Sequence, residues 1–330
     1  MSIDKLIGNS FRGCILIQKA GNIVLEKAYG YADLVNEIGN EVHTKFATAS
    51  AGKVFVAVGI LQLIEKGLLK LEDSIGKIID IDWRNIDTSI TIEELLTHTS
   101  GVPDYFDESI LDDYEELWAN FPNYKIRSNS DLIPLFIDKP MMYPRGCKFQ
   151  YNNTGFVILA MIIEYITNSK FDDYLSSSIF KPCGMINTGY YELDKLPAKC
   201  ANNYIYNKMK EEYRTNIYSV DAKGTGAGGA YTTVNDIRLF WEHLLFKNLL
   251  TEEMTTKMLM NHGGDRKCYG YGIWLEEREQ YLNPYFQGSD PGVSFISGYD
   301  IQKELLIVIV SNYGDDVWRL FKDIKEYFKG

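Results

Sequence analysis

Residues Ala47–Gly67 contain an apolar run of helical length, from Val54 to Ile64, with Gly67 at its end. Phe55, Val58, Leu61, Leu63 and Ile64 are so closely spaced that no polar stripe separates them, and a helix that is apolar on nearly every side has to be enclosed by the rest of the chain. The fold must therefore be built around this segment. At its start stand Ser50 and, three residues on, Lys53, a spacing that puts both side chains on one helix face beside the positive end of the helix dipole. A serine hydroxyl becomes a nucleophile when a neighbouring base takes its proton. A lysine can be that base once burial disfavours its ammonium form.

The Ser-x-x-Lys pattern occurs four times, at Ser2/Lys5, Ser50/Lys53, Ser74/Lys77 and Ser178/Lys181. Only the Ser50 pair opens a long buried helix; Ser178/Lys181 runs into Pro182, and Ser74/Lys77 follows a short acidic connector. The competing reading of Ser50 is a helix N-cap.

The order of the remaining elements sets the architecture. Cys14–Lys19 and Ile23–Ala28 read as strands joined by an Ala20-Gly21-Asn22 turn, with the second continuing through Tyr29–Asp33. Thr91 and Glu94 form a capping box ahead of a short helix that ends in the His98 loop, and Gly155–Ile166 reads as a second long apolar helix. Further helices are expected at Phe171–Phe180, Val234–Leu245 and Asp316–Phe328. Strands are expected at Tyr271–Leu275, Val293–Tyr299 and Leu305–Ser311, and Tyr281-Leu282-Asn283-Pro284 reads as a surface loop. Strands at both chain ends with helices between them imply an α+β fold: a sheet domain of residues 1–85 and 215–330, and a mostly helical domain of residues 86–214 inserted into it.

A net charge of −11 over 330 residues argues against nucleic acid or an anionic membrane surface as a partner. The five cysteines are odd in number, widely spaced and without a Cys-x-x-Cys pair, which reads as reduced thiols in a cytoplasmic protein, and the N-terminal residues have no signal-peptide pattern. Gly224–Gly229 satisfies G-x-G-x-x-G but lacks the preceding strand and following acid of a dinucleotide site, so no nucleotide cofactor is expected. His43, His98, His243 and His262 show no metal-ligand spacing; His98 is expected to shape its loop, and His262–Asp265 to be a turn.

Five segments in order carry a resemblance: Phe46–Lys53 with its Ser-x-x-Lys, Glu94–Pro103, Tyr151-Asn152-Asn153, Ile179–Met185 and Gly228–Thr233. Together they resemble the serine β-lactamase and penicillin-binding-protein superfamily, with the class C β-lactamase-related hydrolases as the nearest branch, from about residue 12 to the C-terminus. The resemblance implies a β-lactamase-like fold: an antiparallel sheet flanked by helices plus the helical domain, with the active site in the cleft between. It implies Ser50 as acyl-forming nucleophile, Lys53 as base or proton relay and Tyr151 as a second proton-transfer group. It makes Asn153 a partner of substrate or Lys53.

The family's third motif, a Lys- or His-led triplet ending in Gly, falls on Phe286-Gln287-Gly288. The Ser289 amide would complete an oxyanion hole with that of Ser50, and the cation is replaced by Phe286. Losing that cation disfavours carboxylate-bearing substrates and tilts the expectation toward an uncharged small-molecule ester or amide. A tyrosine flanked by cations would have a lowered phenol pKa, an argument that the loss also weakens for Tyr151. Two other readings stay open: a β-lactamase or D-Ala-D-Ala peptidase, and a non-catalytic binding relative.

Overall fold

The computed structural model describes residues 3–8, 10–110, 114–247, 249–264, 268–278 and 281–329. Ser2 of the first Ser-x-x-Lys pair and Asp265 of the expected turn lie outside them. A six-stranded antiparallel sheet runs in the order Asn22–Tyr29, Gly13–Lys19, Leu305–Ser311, Val293–Asp300, Tyr281–Asp290, Trp274–Arg278. Both chain ends supply it, as the order of elements requires. The N-terminal hairpin turns on Ala20 and Gly21, both with positive φ (47° and 77°), the twist that two-residue turns between antiparallel strands favour.

Both faces of the central strands are covered. Cys14, Leu16, Val308 and Val310 face the main core, while the alternate Ile15, Ile17, Ile307 and Ile309 meet Val317, Leu320 and Ile324 of the C-terminal helix Val317–Tyr327. Side-chain alternation along a strand produces this two-sided burial directly.

The helix Lys53–Glu65 runs through the middle of the main core. Every residue from Lys53 to Leu63 is buried, and Phe55 meets Phe180 and Phe240 edge to face. It ends at Gly67, whose φ of +71° an L side chain adopts only with strain. Its neighbour is the helix Asn153–Thr167, which starts two residues before the expected Gly155 because the Asn152 side chain caps it by accepting the Gly155 N–H. Gly59 lets the helical layer close up: a Cβ there would stand 2.8 Å from Leu175 and 3.2 Å from Ile163.

Three local expectations change. Tyr29–Asp33 is not one strand: Gly30 turns the chain with a φ of +68°, and Tyr31–Asp33 pairs with Ile38–Gly39 in a separate ribbon. Residues 271–273 are a bend, and the strand there is Trp274–Arg278. The third change matters most. Tyr281-Leu282-Asn283-Pro284 is not a surface loop but the first part of the ten-residue strand Tyr281–Asp290. Pro284 is tolerated because the ladder with Val293–Asp300 begins only at Tyr285, leaving Pro284 a strand neighbour on one side.

Candidate active site

The site forms where the N-terminal end of the central helix meets three other segments. The chain enters through Ala49, held at a φ of +48°, and makes a single 3₁₀ turn, Ala49–Gly52, before the α-helix begins at Lys53. Ser50 lies in that turn and caps nothing. Two glycines make room for it. A Cβ on Gly228 would stand 2.3 Å from the Ala49 carbonyl oxygen, and one on Gly288 would stand 2.6 Å from the Ser50 nitrogen. Both contacts are to backbone, so only glycine allows the two segments to lie against the turn. The glycine-dense 224–229 stretch is therefore a wall of the site.

Lys53 is buried, and its Nζ reaches three oxygens: Ser50 Oγ at 2.9 Å, Asn153 Oδ1 at 2.8 Å and the Ala227 carbonyl at 2.5 Å. Burial lowers its pKa to about 8, against the opposing pull of Glu108, Asp104, Asp290 and Asp221. An uncharged amine has two hydrogens and one lone pair. With the hydrogens on Asn153 and Ala227, the lone pair is left for the Ser50 proton.

Asn153 is itself fixed from behind. Its side-chain amide donates to the Phe106 carbonyl at 3.1 Å and to Glu108 at 3.3 Å, which orients its oxygen toward Lys53. The buried Asp104 accepts from the backbone N–H groups of Asn153 (2.8 Å) and Thr154 (3.0 Å), and burial raises its pKa to about 6.

Tyr151 closes the arrangement. Its ring stacks on Trp274, its phenol bears on Ser50, and Lys53 Nζ lies 5.0 Å from the ring centroid. The expected lowering of its pKa does not occur. Burial pushes the phenol well above its ordinary value, and nearby Glu108 and Tyr269 push the same way. The group that touches Ser50 is a neutral hydroxyl, able to pass a proton on. His98, 4.5 Å from the Tyr151 ring centroid, is buried and held in one tautomer. Its Nδ1 accepts from the Asn152 N–H, so Nε2–H donates to the Tyr269 hydroxyl, and burial keeps it uncharged. It shapes its loop.

The third motif divides. Gly288 packs against the Ser50 turn, and Ser289 lines a cavity of about 640 Å³ that opens on Ser50. Phe286 does not line it. Its ring is buried on the core side of the strand, stacked 5.2 Å from Trp241 and 5.9 Å from Phe295. The motif's missing cation is thus an aromatic core contact, and Phe286 is not a substrate-binding residue. Sequence reasoning missed Asp104, Glu108, Asp221 and Asp290, and it missed the Ala227 carbonyl, whose only signal was the local density of glycine.

Among the described residues no helix is long and apolar enough to cross a membrane. The family model for beta-lactamase matches residues 10–326. Penicillin-binding protein 4* of Bacillus subtilis is 27% identical over 326 residues, covering 93% of this chain and 69% of that protein. The crystal structure of a penicillin-binding protein from Bacillus halodurans superposes with a TM-score of 0.93 at 35% identity, covering 99% of this chain and all of that one. The D-amino acid amidase of Ochrobactrum anthropi SV3 shares the fold, with a TM-score of 0.80 at 21% identity over 99% of this chain and 97% of that one. A cleft built on Ser50, Lys53 and Tyr151, together with likeness over nearly the whole length, makes this chain a member of the beta-lactamase family, within the superfamily of serine β-lactamases and penicillin-binding proteins.

Proposed function

We propose that this protein is a serine hydrolase that cleaves a small-molecule ester or amide through a covalent acyl-enzyme. The observation that carries the reading is the 2.9 Å approach of Lys53 Nζ to Ser50 Oγ, with the other two Lys53 contacts already made to Asn153 and Ala227. Ser50 Oγ attacks the carbonyl carbon as its proton passes to Lys53. The tetrahedral oxyanion is held by the Ser50 and Ser289 amides, and the alcohol or amine leaves with a proton relayed through Tyr151. Gly288 keeps the two amides close. Water then attacks the acyl-enzyme, and the proton returns to Ser50. Five unpaired cysteines support a reducing, cytoplasmic setting.

The test is labelling with a fluorophosphonate and, separately, with a fluorescent penicillin, each repeated on Ser50→Ala. Labelling by the phosphonate alone, lost in the variant, is expected. Labelling by penicillin with turnover would instead favour a β-lactamase or D-Ala-D-Ala peptidase. Labelling by neither reagent would leave a non-catalytic binding relative and end the proposal.

A further inference from the structure

Besides Ser50, Lys53 Nζ has two neutral acceptors, Asn153 Oδ1 and the Ala227 carbonyl, and a single helix sets the place of both. Asn153 is the first residue of the helix Asn153–Thr167. Phe156, Ala160 and Glu164 follow at intervals of three and four residues, so the four lie along one face. The turn of residues 225–228 rests on that face. Thr225 and Gly228 exchange both of their backbone hydrogen bonds, at 2.9 and 3.1 Å, and the Ala227 carbonyl leaves the turn toward Lys53 Nζ at 2.5 Å. Gly226 meets the helix directly: a Cβ there would stand 2.2 Å from the Phe156 carbonyl oxygen and 2.6 Å from Ala160 Cβ.

A turn of Gly226, Ala227 and Gly228 has little side chain to hold it, so its place depends on its backbone groups. The Gly226 N–H donates to Asn129 Oδ1 at 2.8 Å. Asn129 is fully buried and lies outside the cavity lining. Its own amide donates to Glu164 Oε1 at 3.4 Å, and that carboxylate oxygen also accepts the Phe171 N–H at 3.3 Å. An asparagine suits the place because one side chain has to accept from the turn and donate to a carboxylate. Asp131 pins the chain just before it, accepting from the Arg127 and Ser128 N–H groups at 3.0 and 2.8 Å. Lys223, just ahead of the turn, pairs with Asp172 at 2.6 Å, with both side chains largely buried.

We infer that Asn129 is a positioning residue for the proton transfer: by holding the Gly226 N–H on the helix that carries Asn153, it fixes the Ala227 carbonyl where it takes one Lys53 hydrogen and leaves the lone pair to Ser50. The inference rests on the serine-hydrolase reading. It adds to that reading a residue that acts through the wall of the site and not on the substrate.

The test is fluorophosphonate inactivation measured against reagent concentration on the alkaline plateau, so that the limiting rate and the half-saturating concentration are read separately. Asn129→Leu keeps the volume and loses both hydrogen bonds. Its limiting rate is expected to fall at least ~10-fold while its half-saturating concentration stays within ~2-fold of the wild type. Asn129→Asp combined with Glu164→Gln exchanges the partners: the new carboxylate accepts the Gly226 N–H, and the new amide donates to that carboxylate. This pair is expected to recover most of the lost rate, which a side chain that merely filled space would not predict. Melting curves establish that each variant is folded; should Asn129→Leu not fold, Asn129→Ser, one bond shorter in reach, takes its place with the same expected fall. Inactivation of the single variant at the wild-type limiting rate, a loss carried by the half-saturating concentration, or an exchanged pair that recovers nothing overturns the inference. A wild type that is not labelled at all removes the serine-hydrolase reading, and this inference with it.

Discussion

Asn153 Oδ1 stands 2.8 Å from Lys53 Nζ and brings no charge with it. An amide there accepts a hydrogen from either form of the lysine, so it positions the amine without favouring the ammonium. A carboxylate at the same place would favour the charged form. Asn153→Asp is therefore expected to raise the Lys53 pKa and move the acid limb of kcat/KM to higher pH, with activity at pH 7 reduced at least ~10-fold. An unchanged pH profile would remove Asn153 from control of the base.

The wild-type profile follows from the same group. Below its folded pKa Lys53 is an ammonium and cannot take the Ser50 proton; above it, the amine can. With that pKa at about 8, the rate of fluorophosphonate inactivation should rise with pH through about 8 and then level off. Lys53→Ala should keep the fold and lower kcat/KM by at least ~10². Near-full activity in that variant would assign the proton transfer elsewhere.

What the sequence made legible is local. Ser50 and Lys53 lie within one helical turn, and the Thr91/Glu94 capping box is closed by residues three apart, with both of its hydrogen bonds present. The Val317–Tyr327 helix shows its apolar face in the order of its residues. What stayed hidden depends on distant segments meeting. Glu108, Asp221 and Asp290 come from separate loops and a strand end, and nothing in their own neighbourhoods marks them as facing one cavity. The strand Tyr281–Asp290 was masked by Asn283 and Pro284, which read locally as a turn, although Asn283 is buried and accepts the Ile301 N–H. The direction of the Tyr151 shift was equally out of reach, because it is set by burial and by Glu108, 43 positions away in the chain.

Phe286 separates a core role from a binding role. Its ring stacks between Trp241 and Phe295 and meets Phe240 edge-on at 5.9 Å. Phe286→Ala should cost about 3–5 kcal/mol of stability, seen as a lowered Tm, while fluorophosphonate labelling at low temperature persists. Phe286→Lys, which returns the family's cation to the motif, would bury an unpaired charge among aromatic rings and should destabilise the protein without conferring penicillin binding. Penicillin labelling of a folded Phe286→Lys protein would show instead that the side chain can turn into the cavity.

Gly288 tests the close approach on which the oxyanion site depends. A methyl group there would stand 2.4 Å from the Thr48 carbonyl oxygen, 2.6 Å from the Ser50 nitrogen and 2.7 Å from the Ala51 nitrogen. All three are backbone atoms of the turn that presents the nucleophile, so no side-chain rotation relieves the contact, and the strand and the turn have to separate. Hydrogen bonds to a developing oxyanion weaken steeply with distance, and losing one such donor costs ~10²–10³ in rate. Gly288→Ala is expected to lower the Tm, because its methyl lies on the same strand face as Phe286 and meets backbone of the turn, but to stay folded at low temperature. Its fluorophosphonate labelling rate should nevertheless fall at least ~10²-fold. Labelling at the wild-type rate would show that the strand end is not part of the oxyanion site, and would leave the Ser50 amide to be paired with some other donor.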